Sequence, residues 1–344
     1  MKNDNIVSKK QGMTPENDPS LRSSPRSEFE PEPTAEGCEN ETALGSDSIP
    51  FLGIPFAAGE PLVHSKHKKY RRGQLVKLED KLTARDRAVM EALRKYRFLT
   101  SSQVGRIFFA DCSTPTSRTR NQNLLLKRLA EYELIRALER RIGGSGGGSS
   151  VQIWHLTEAG YRLLMLDDPD TFRRKRFLEP SAQFIEHTLA IAECAVQLHT
   201  MCRYSHDLDL EVIDTEPSCW RRYNDDGQVV QLKPDMYAIT TCEGVDEKRY
   251  EDRWFIEMDL STEAPRQVVE KCNAYLRYYY TGIEQNDTGM FPLVLWIVKD
   301  ETRKIRLKQY IRDSIEGQPQ MFLIITPDEL ERAIRGLVDQ HELC

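Results

Sequence analysis

What the 344-residue sequence lacks narrows the reading before any motif is considered. No apolar run approaches the roughly 20 residues needed to span a bilayer, which argues against a membrane helix. The first stretch, MKNDNIVSKKQGMTPEN, has no apolar run of the signal-peptide kind, so the expected location is the cytoplasm. The eight cysteines contain no C-x-x-C pair, which disfavours a zinc ribbon or a thioredoxin-like motif and fits reduced thiols. There is no H-x-H pair and no internal repeat. A composition of 39% hydrophobic and 30% charged residues suits a globular protein, and the length suits two domains plus spare sequence.

Charge is present but uneven. Between Lys66 and Arg141 stand 20 Lys and Arg against 8 Asp and Glu, a surplus of twelve positive charges in a chain of net charge −6. A basic block on an acidic chain suggests a polyanion as partner for that block; a solvated helical surface is the plainer alternative.

Residues 1–65 are rich in Pro, Ser, Glu and Asn without apolar periodicity and read as a disordered tail. Residues 66–166 read as one domain, with ordered structure beginning near Leu82. Thr83 caps a helix over 84–95 with Val89, Leu93 and Tyr96 on its apolar face. Thr100 or Ser101 caps a short second helix carrying Val104, Ile107 and Phe108. A third helix, over 117–131, buries Leu125 and Leu129 with Leu124 close by, and exposes Arg118, Arg120, Asn121, Gln122 and Asn123. Two strand-like runs, LIRALERRI and VQIWHLT, flank the Gly/Ser segment 143–150, and a helix follows in TEAGYRLLML. Three helices and then a hairpin is the order of a winged helix-turn-helix domain.

In such a unit the second helix of the motif enters the major groove of double-stranded DNA with its N-terminal side chains against base edges. Arg118, Arg120, Asn121, Gln122 and Asn123 have suitable chemistry: Arg donates twice to guanine, and Asn or Gln pairs with adenine. Thr114, Thr116 and Ser117 suit phosphate, and Arg140 and Arg141 stand at the wing base, within reach of an adjacent groove or the backbone. A winged helix used for protein contacts is the competing reading, and a homodimer is left open.

After a polar link at 167–179, residues 180–344 alternate helices and strands as a mixed α/β domain. A long helix covers 180–202; strands are expected at 209–214, 229–240, 253–260 and 292–298, with a helix over 264–281. A helix at 302–315, the strand MFLIIT and a helix from Pro327 complete it. Pro234-Asp235 stands within a strand-like hairpin, and Glu257 and Asp259 lie two apart on a strand, hence on one face. Asp235 and Glu257 are expected to face each other across a shallow cleft and to share a divalent ion, Mg²⁺ by oxygen preference. Such an ion would activate water for phosphodiester cleavage.

This layout resembles the PD-(D/E)xK nuclease fold, with α-β-β-β-α-β in the right order. Where that pattern has a Lys, this chain has Asp259. Lys271 on the next helix is the replacement candidate, with Lys233 the weaker one. Glu186 and Glu193, seven apart on the long helix, offer further carboxylates. Glu257 and Asp259 equally suit salt bridges to Arg266 or Lys271.

The segment LTARDRAVMEALRKYRFLTSSQVGRIFF, then LLLKRLAEYELIRAL, then WHLTEAGYRLL resembles the replication-relaxation family of plasmids and other mobile elements. Glu186-His187, Lys233 to Asp235, Glu257 to Glu263, and Lys271 with Tyr275 extend the likeness over roughly residues 80–300. The resemblance implies a DNA-binding protein acting in plasmid replication, DNA relaxation or mobilisation, or its regulation. A metal-dependent nickase or nuclease using Asp235, Glu257, Asp259 and Lys271 is the alternative. A relaxase-type Tyr nucleophile would fall among Tyr275, Tyr278, Tyr279 and Tyr280, although the shared face of Tyr275 and Tyr279 is also what core packing produces. His187, in line with Phe184 and Ile191, reads as a core histidine.

Overall fold

The computed structural model describes residues 70–138, 152–166, 180–244, 248–261, 264–317 and 319–337. These all belong to one structural unit, Pro55–Cys344. The expected tail, the Gly/Ser segment, Arg140, Arg141 and the link at 167–179 lie outside the described residues.

The first helix among the described residues, α1 (Arg72–Glu79), starts ten residues before the expected onset of order at Leu82. Leu75 and Leu78 bury its inner side, and Arg72 donates to the Leu166 carbonyl at 3.1 Å, which ties it to the chain just past the helix Glu158–Leu164. Helix α2 (Ala84–Tyr96) starts at Thr83, whose hydroxyl accepts from the Asp86 N–H while Asp86 accepts from the Thr83 N–H. This reciprocal cap satisfies two N–H groups that the helix end leaves unpaired. Asp86 is also buried against Arg128, which donates to both its oxygens at 2.6 and 2.8 Å. Helix α3 (Ser101–Phe108) is capped the same way by Thr100 and Gln103.

Helix α4 (Pro115–Glu131) begins two residues before the expected start, because Thr114 caps it through the Ser117 N–H and Pro115 occupies its first position. Leu125, Leu126 and Leu129 form its buried side, whereas Leu124 is 57% exposed. Gln122, expected at the surface, is buried where α4 crosses α3. A Cβ on Gly105 would meet Gln122 Oε1 at 1.8 Å, so the missing side chain of Gly105 admits it. Phe109, just past the end of α3, supplies the buried ring, and Ile107 and Phe108 within it are only half-buried.

Strand β1 (Leu99–Thr100), β2 (Ile135–Ala137) and β3 (Ile153–Leu156) form a small antiparallel sheet in the order β1-β3-β2. The two-residue β1 was not visible in the sequence pattern. Helix α5 (Glu158–Leu164) follows, capped by Thr157. The next elements are α6 (Ala182–Tyr204), β4 (Leu208–Thr215), β5 (Arg221–Asp225), β6 (Gln228–Leu232), β7 (Met236–Glu243) and β8 (Arg249–Asp259). Then come α7 (Pro265–Tyr280), α8 (Ile283–Thr288), β9 (Leu293–Val298), α9 (Glu301–Ser314), β10 (Phe322–Ile325) and α10 (Leu330–Ile334). The expected single strand at 229–240 is two strands, divided around Pro234, which has no N–H to continue a ladder.

The main sheet runs β10-β9-β8-β7-β4, parallel across β10-β9-β8 and antiparallel across β8-β7-β4. Alternation along β8 sends Trp254, Ile256 and Met258 into one core and Phe255 into the other. The first core includes α6 residues Ile191, Ala192, Ala195 and Leu198 and continues without a break into α2, α4 and the small sheet. The second holds Val268, Cys272, Tyr275 and Leu276 of α7 with Leu307 and Ile311 of α9. Among the described residues the architecture is mixed α/β, and no helix is long and apolar enough to cross a membrane.

Candidate functional sites

Alternation of side chains on β8 puts Glu257 and Asp259 on the face covered by α7 and α9, and both are buried. Asp235 enters β7 one residue before Met236, which pairs with Ile256, so Asp235 arrives level with Glu257 at the ends of neighbouring strands. The two carboxylates thus sit together, but within the protein rather than across a shallow cleft: Asp235 is 6% exposed and Glu257 fully covered.

Each carboxylate oxygen already has a partner. Asp235 Oδ2 accepts from the Met258 N–H at 2.8 Å, and Oδ1 lies 3.3 Å from His187 Nε2. Glu257 Oε1 accepts from the Tyr275 hydroxyl at 2.5 Å. Its Oε2 lies 2.5 Å from the Lys271 ammonium, a charge contact without hydrogen-bond direction. Asp259 is held by Arg303 at 2.6 Å and accepts from the Ser261 N–H at 2.8 Å.

The two acids respond in opposite directions. Burial opposes ionisation of Asp235, but the Lys271 charge and the His187 contact outweigh it and bring its pKa down to about 2. Burial drives Glu257 up to about 8, Lys271 offsets only part of this, and the charge of Asp235 adds to it. Burial lowers the pKa of His187, yet its hydrogen bond to Asp235 and the charge of that carboxylate leave it raised. Burial and the neighbouring Glu257 push the Tyr275 phenol well above its ordinary value.

A rim surrounds this centre that sequence reasoning did not find. Glu216, raised by burial and by Asp235, feels Arg97, His187 and Lys271 together. Arg97 lies 3.6 Å from Glu216 and over the Phe184 ring, and its backbone has φ 65°, a region disfavoured for a residue with a Cβ. His187 therefore belongs to the centre and is a third exposed, not a core histidine. Nothing in the local pattern announces Glu216 or Arg303: the first follows a strand, and the second is 44 residues from its partner Asp259.

The remaining candidates are placed elsewhere. Glu186 is exposed, while Glu193 is engaged by Arg106 at 2.5 Å and by the Gln103 amide at 3.1 Å, joining α3 to α6. Lys233 lies over the Trp220 ring. Arg266 pairs with Glu270, not with Glu257 or Asp259. Tyr275 and Tyr278 are buried, and Tyr280 is exposed.

Mg²⁺ takes oxygen ligands in near-octahedral array, and the one or two carboxylates that hold it must have oxygens free to do so. Among the described residues no group of three or more His, Cys, Asp or Glu is arranged to hold a metal. Asp235 and Glu257 are two carboxylates with their oxygens taken, and as arranged they do not fit Mg²⁺.

The second candidate surface is the outer side of α4. Arg120, Asn121 and Asn123 are exposed, Arg118 is half-buried, and Thr114 and Thr116 stand exposed at the helix start. Pro115, Thr116, Thr119, Arg120 and Asn123 line an open recess of about 420 Å³ containing no carboxylate. Among the described residues Arg120 makes no ion pair, whereas Arg128, on the inner side, is bound to Asp86. Helix α4 contacts β2 of the small sheet.

Two comparisons with known proteins, against curated sequences and against solved structures, found no match. A comparison with family models matched residues 90–294 to a family described as replication-relaxation.

Proposed function

The chain belongs to the replication-relaxation family, and on that premise we propose that it is a cytoplasmic DNA-binding protein of a mobile genetic element. It acts in replication, in DNA relaxation or mobilisation, or in their regulation. In this reading α2, α3, α4 and the small sheet are a winged helix-turn-helix, with α4 in the major groove of double-stranded DNA. The observation that carries it is the split character of α4. One side is a leucine seam; the other presents Arg120, Asn121 and Asn123 to solvent beside a recess without acids. Side chains of this kind both neutralise phosphate and pair with base edges. Phosphate contacts release counterions, so affinity falls linearly in log–log form with salt. The test is a titration of the full chain against duplex DNA at several salt concentrations. Binding that weakens steeply with salt and is reduced in Arg120→Ala supports the reading; no binding at low salt defeats it.

A metal-dependent nickase or nuclease of PD-(D/E)xK type is the second reading. What favours it is the meeting of Asp235, Glu257 and Lys271 at one place. It requires the His187 and Lys271 contacts to open before an ion gains access. A rise in melting temperature with Mn²⁺, abolished by Asp235→Asn, would support it, because a ligand of the folded state alone stabilises that state.

A further inference from the structure

Helix α4 turns a leucine outward in the middle of the face proposed to meet DNA. With 3.6 residues per turn, the buried set Gln122, Leu125, Leu126 and Leu129 fixes the inner side. The opposite side then carries Thr116, Arg120, Asn123, Leu124 and Lys127, related by steps of three and four. Leu124 follows Arg120 by one turn and precedes Lys127 by three residues, and more than half of its surface is exposed. Lys127 is 3.9 Å from Glu131, its side chain 76% exposed. An apolar side chain framed by cations and amides on a helix face is well matched to one feature of a polyanion: the 5-methyl group of thymine, the apolar group that base edges present in the major groove.

We propose that Leu124 contacts a thymine methyl group in the major groove, so that the chain prefers duplex DNA with a T·A pair beside the pair met by Arg120. This rests on the DNA-binding reading of α4. The four residues from Arg120 to Leu124 advance about 6 Å along the helix axis, less than two base steps of about 3.4 Å each, so the T·A pair falls within two steps of the Arg120 contact. Charge complementarity selects DNA over a second copy of this chain as occupant, because a like-charged face repeats Arg120 and Lys127 against themselves.

The test uses the full chain. A random-sequence duplex pool is enriched by binding, and a selected duplex is resynthesised with deoxyuridine replacing thymidine, which deletes only methyl groups. Burying one such carbon is worth about fourfold in affinity, so the wild type should bind the deoxyuridine duplex about fourfold more weakly. Leu124→Ala should bind both duplexes alike, near the wild-type affinity for the deoxyuridine form. Val229→Ala, an exposed apolar position on the β5–β6 hairpin, should keep the wild-type ratio. Equal wild-type affinity for the two duplexes overturns the thymine assignment and leaves DNA binding standing. So does a Leu124→Ala variant that still discriminates, or one whose only change is loss of a dimer mass. Failure to enrich any duplex overturns the assignment together with the reading beneath it.

Discussion

The outer face of α4 and the buried end of β7 and β8 use the same kinds of side chain in opposite ways. On α4, Arg120 and Asn123 stand in solvent beside a recess that no acid lines. At the strand ends, Lys271, Arg303 and His187 are each turned onto a buried carboxylate. A cation in solvent keeps its field for a partner; a cation against a buried carboxylate spends it holding the fold together. The contrast teaches that motif residues in the right order can meet and still be fully engaged with one another, whereas a looser surface pattern can be the part left open to bind.

The comparison breaks first at Lys271. Replacing it by Met takes the opposing charge from Asp235, and from Glu257 where that group is ionised, and should cost about 3–5 kcal/mol in chemical denaturation above pH 8. Adding Glu257→Gln should recover most of that loss. A Lys271→Met variant as stable as the wild type would show that the centre is not a neutralised pair. The next effect belongs to α4. Arg120→Ala should lose about 1–3 kcal/mol of duplex affinity in a direct titration, with an unchanged melting transition. Asp235→Asn should bind the same duplex as the wild type does.

A smaller effect follows from pH. The folded-state pKa of Glu257 is raised to about 8, above its ordinary 4.5. Its contribution to stability is therefore complete below pH 4.5 and is lost as pH rises through about 8. His187, also raised, acts in the same direction, losing its contribution as pH climbs above 6.5. Asp235 works oppositely and lower: its stabilisation is present above 3.8 and lost as pH falls through about 2. Melting temperatures across pH 5–8 should decline, and Glu257→Gln should flatten that decline; an unchanged slope would remove Glu257 from the account. The smallest effect is expected at Lys127. Its change to Ala should lower the magnitude of the log–log salt slope by about one unit, without altering sequence preference.

Much of the fold was legible where local chemistry decides it. Thr83, Thr100 and Thr157 start helices through their own hydroxyls, and the apolar run at 293–298 is a central strand. Asp235 and Glu257 could be paired from strand order alone. Other features depend on contacts between distant segments. Gln122 is inside because Gly105 on another helix makes room for it. Leu126 rather than Leu124 joins the buried side of α4, because the neighbours it packs against lie on other elements. The expected long strand divides at Pro234, releasing the β5–β6 hairpin as a unit of its own. Glu216, Arg97 and Arg303 join the acidic centre only through the tertiary fold, and the partner that closes Asp259 lies on α9.

The most direct test of the contrast is one gel. Supercoiled plasmid is incubated with the full chain in Mg²⁺ or Mn²⁺, beside Asp235→Ala and Arg120→Ala, and samples are run before and after protein removal. An open α4 face and a closed acidic centre predict retarded plasmid before deproteinisation and intact supercoils after it, with retardation weakened only in Arg120→Ala. Nicked or linear plasmid produced by the wild type and absent with Asp235→Ala would contradict the account, because it would show that the centre opens to a metal and cuts.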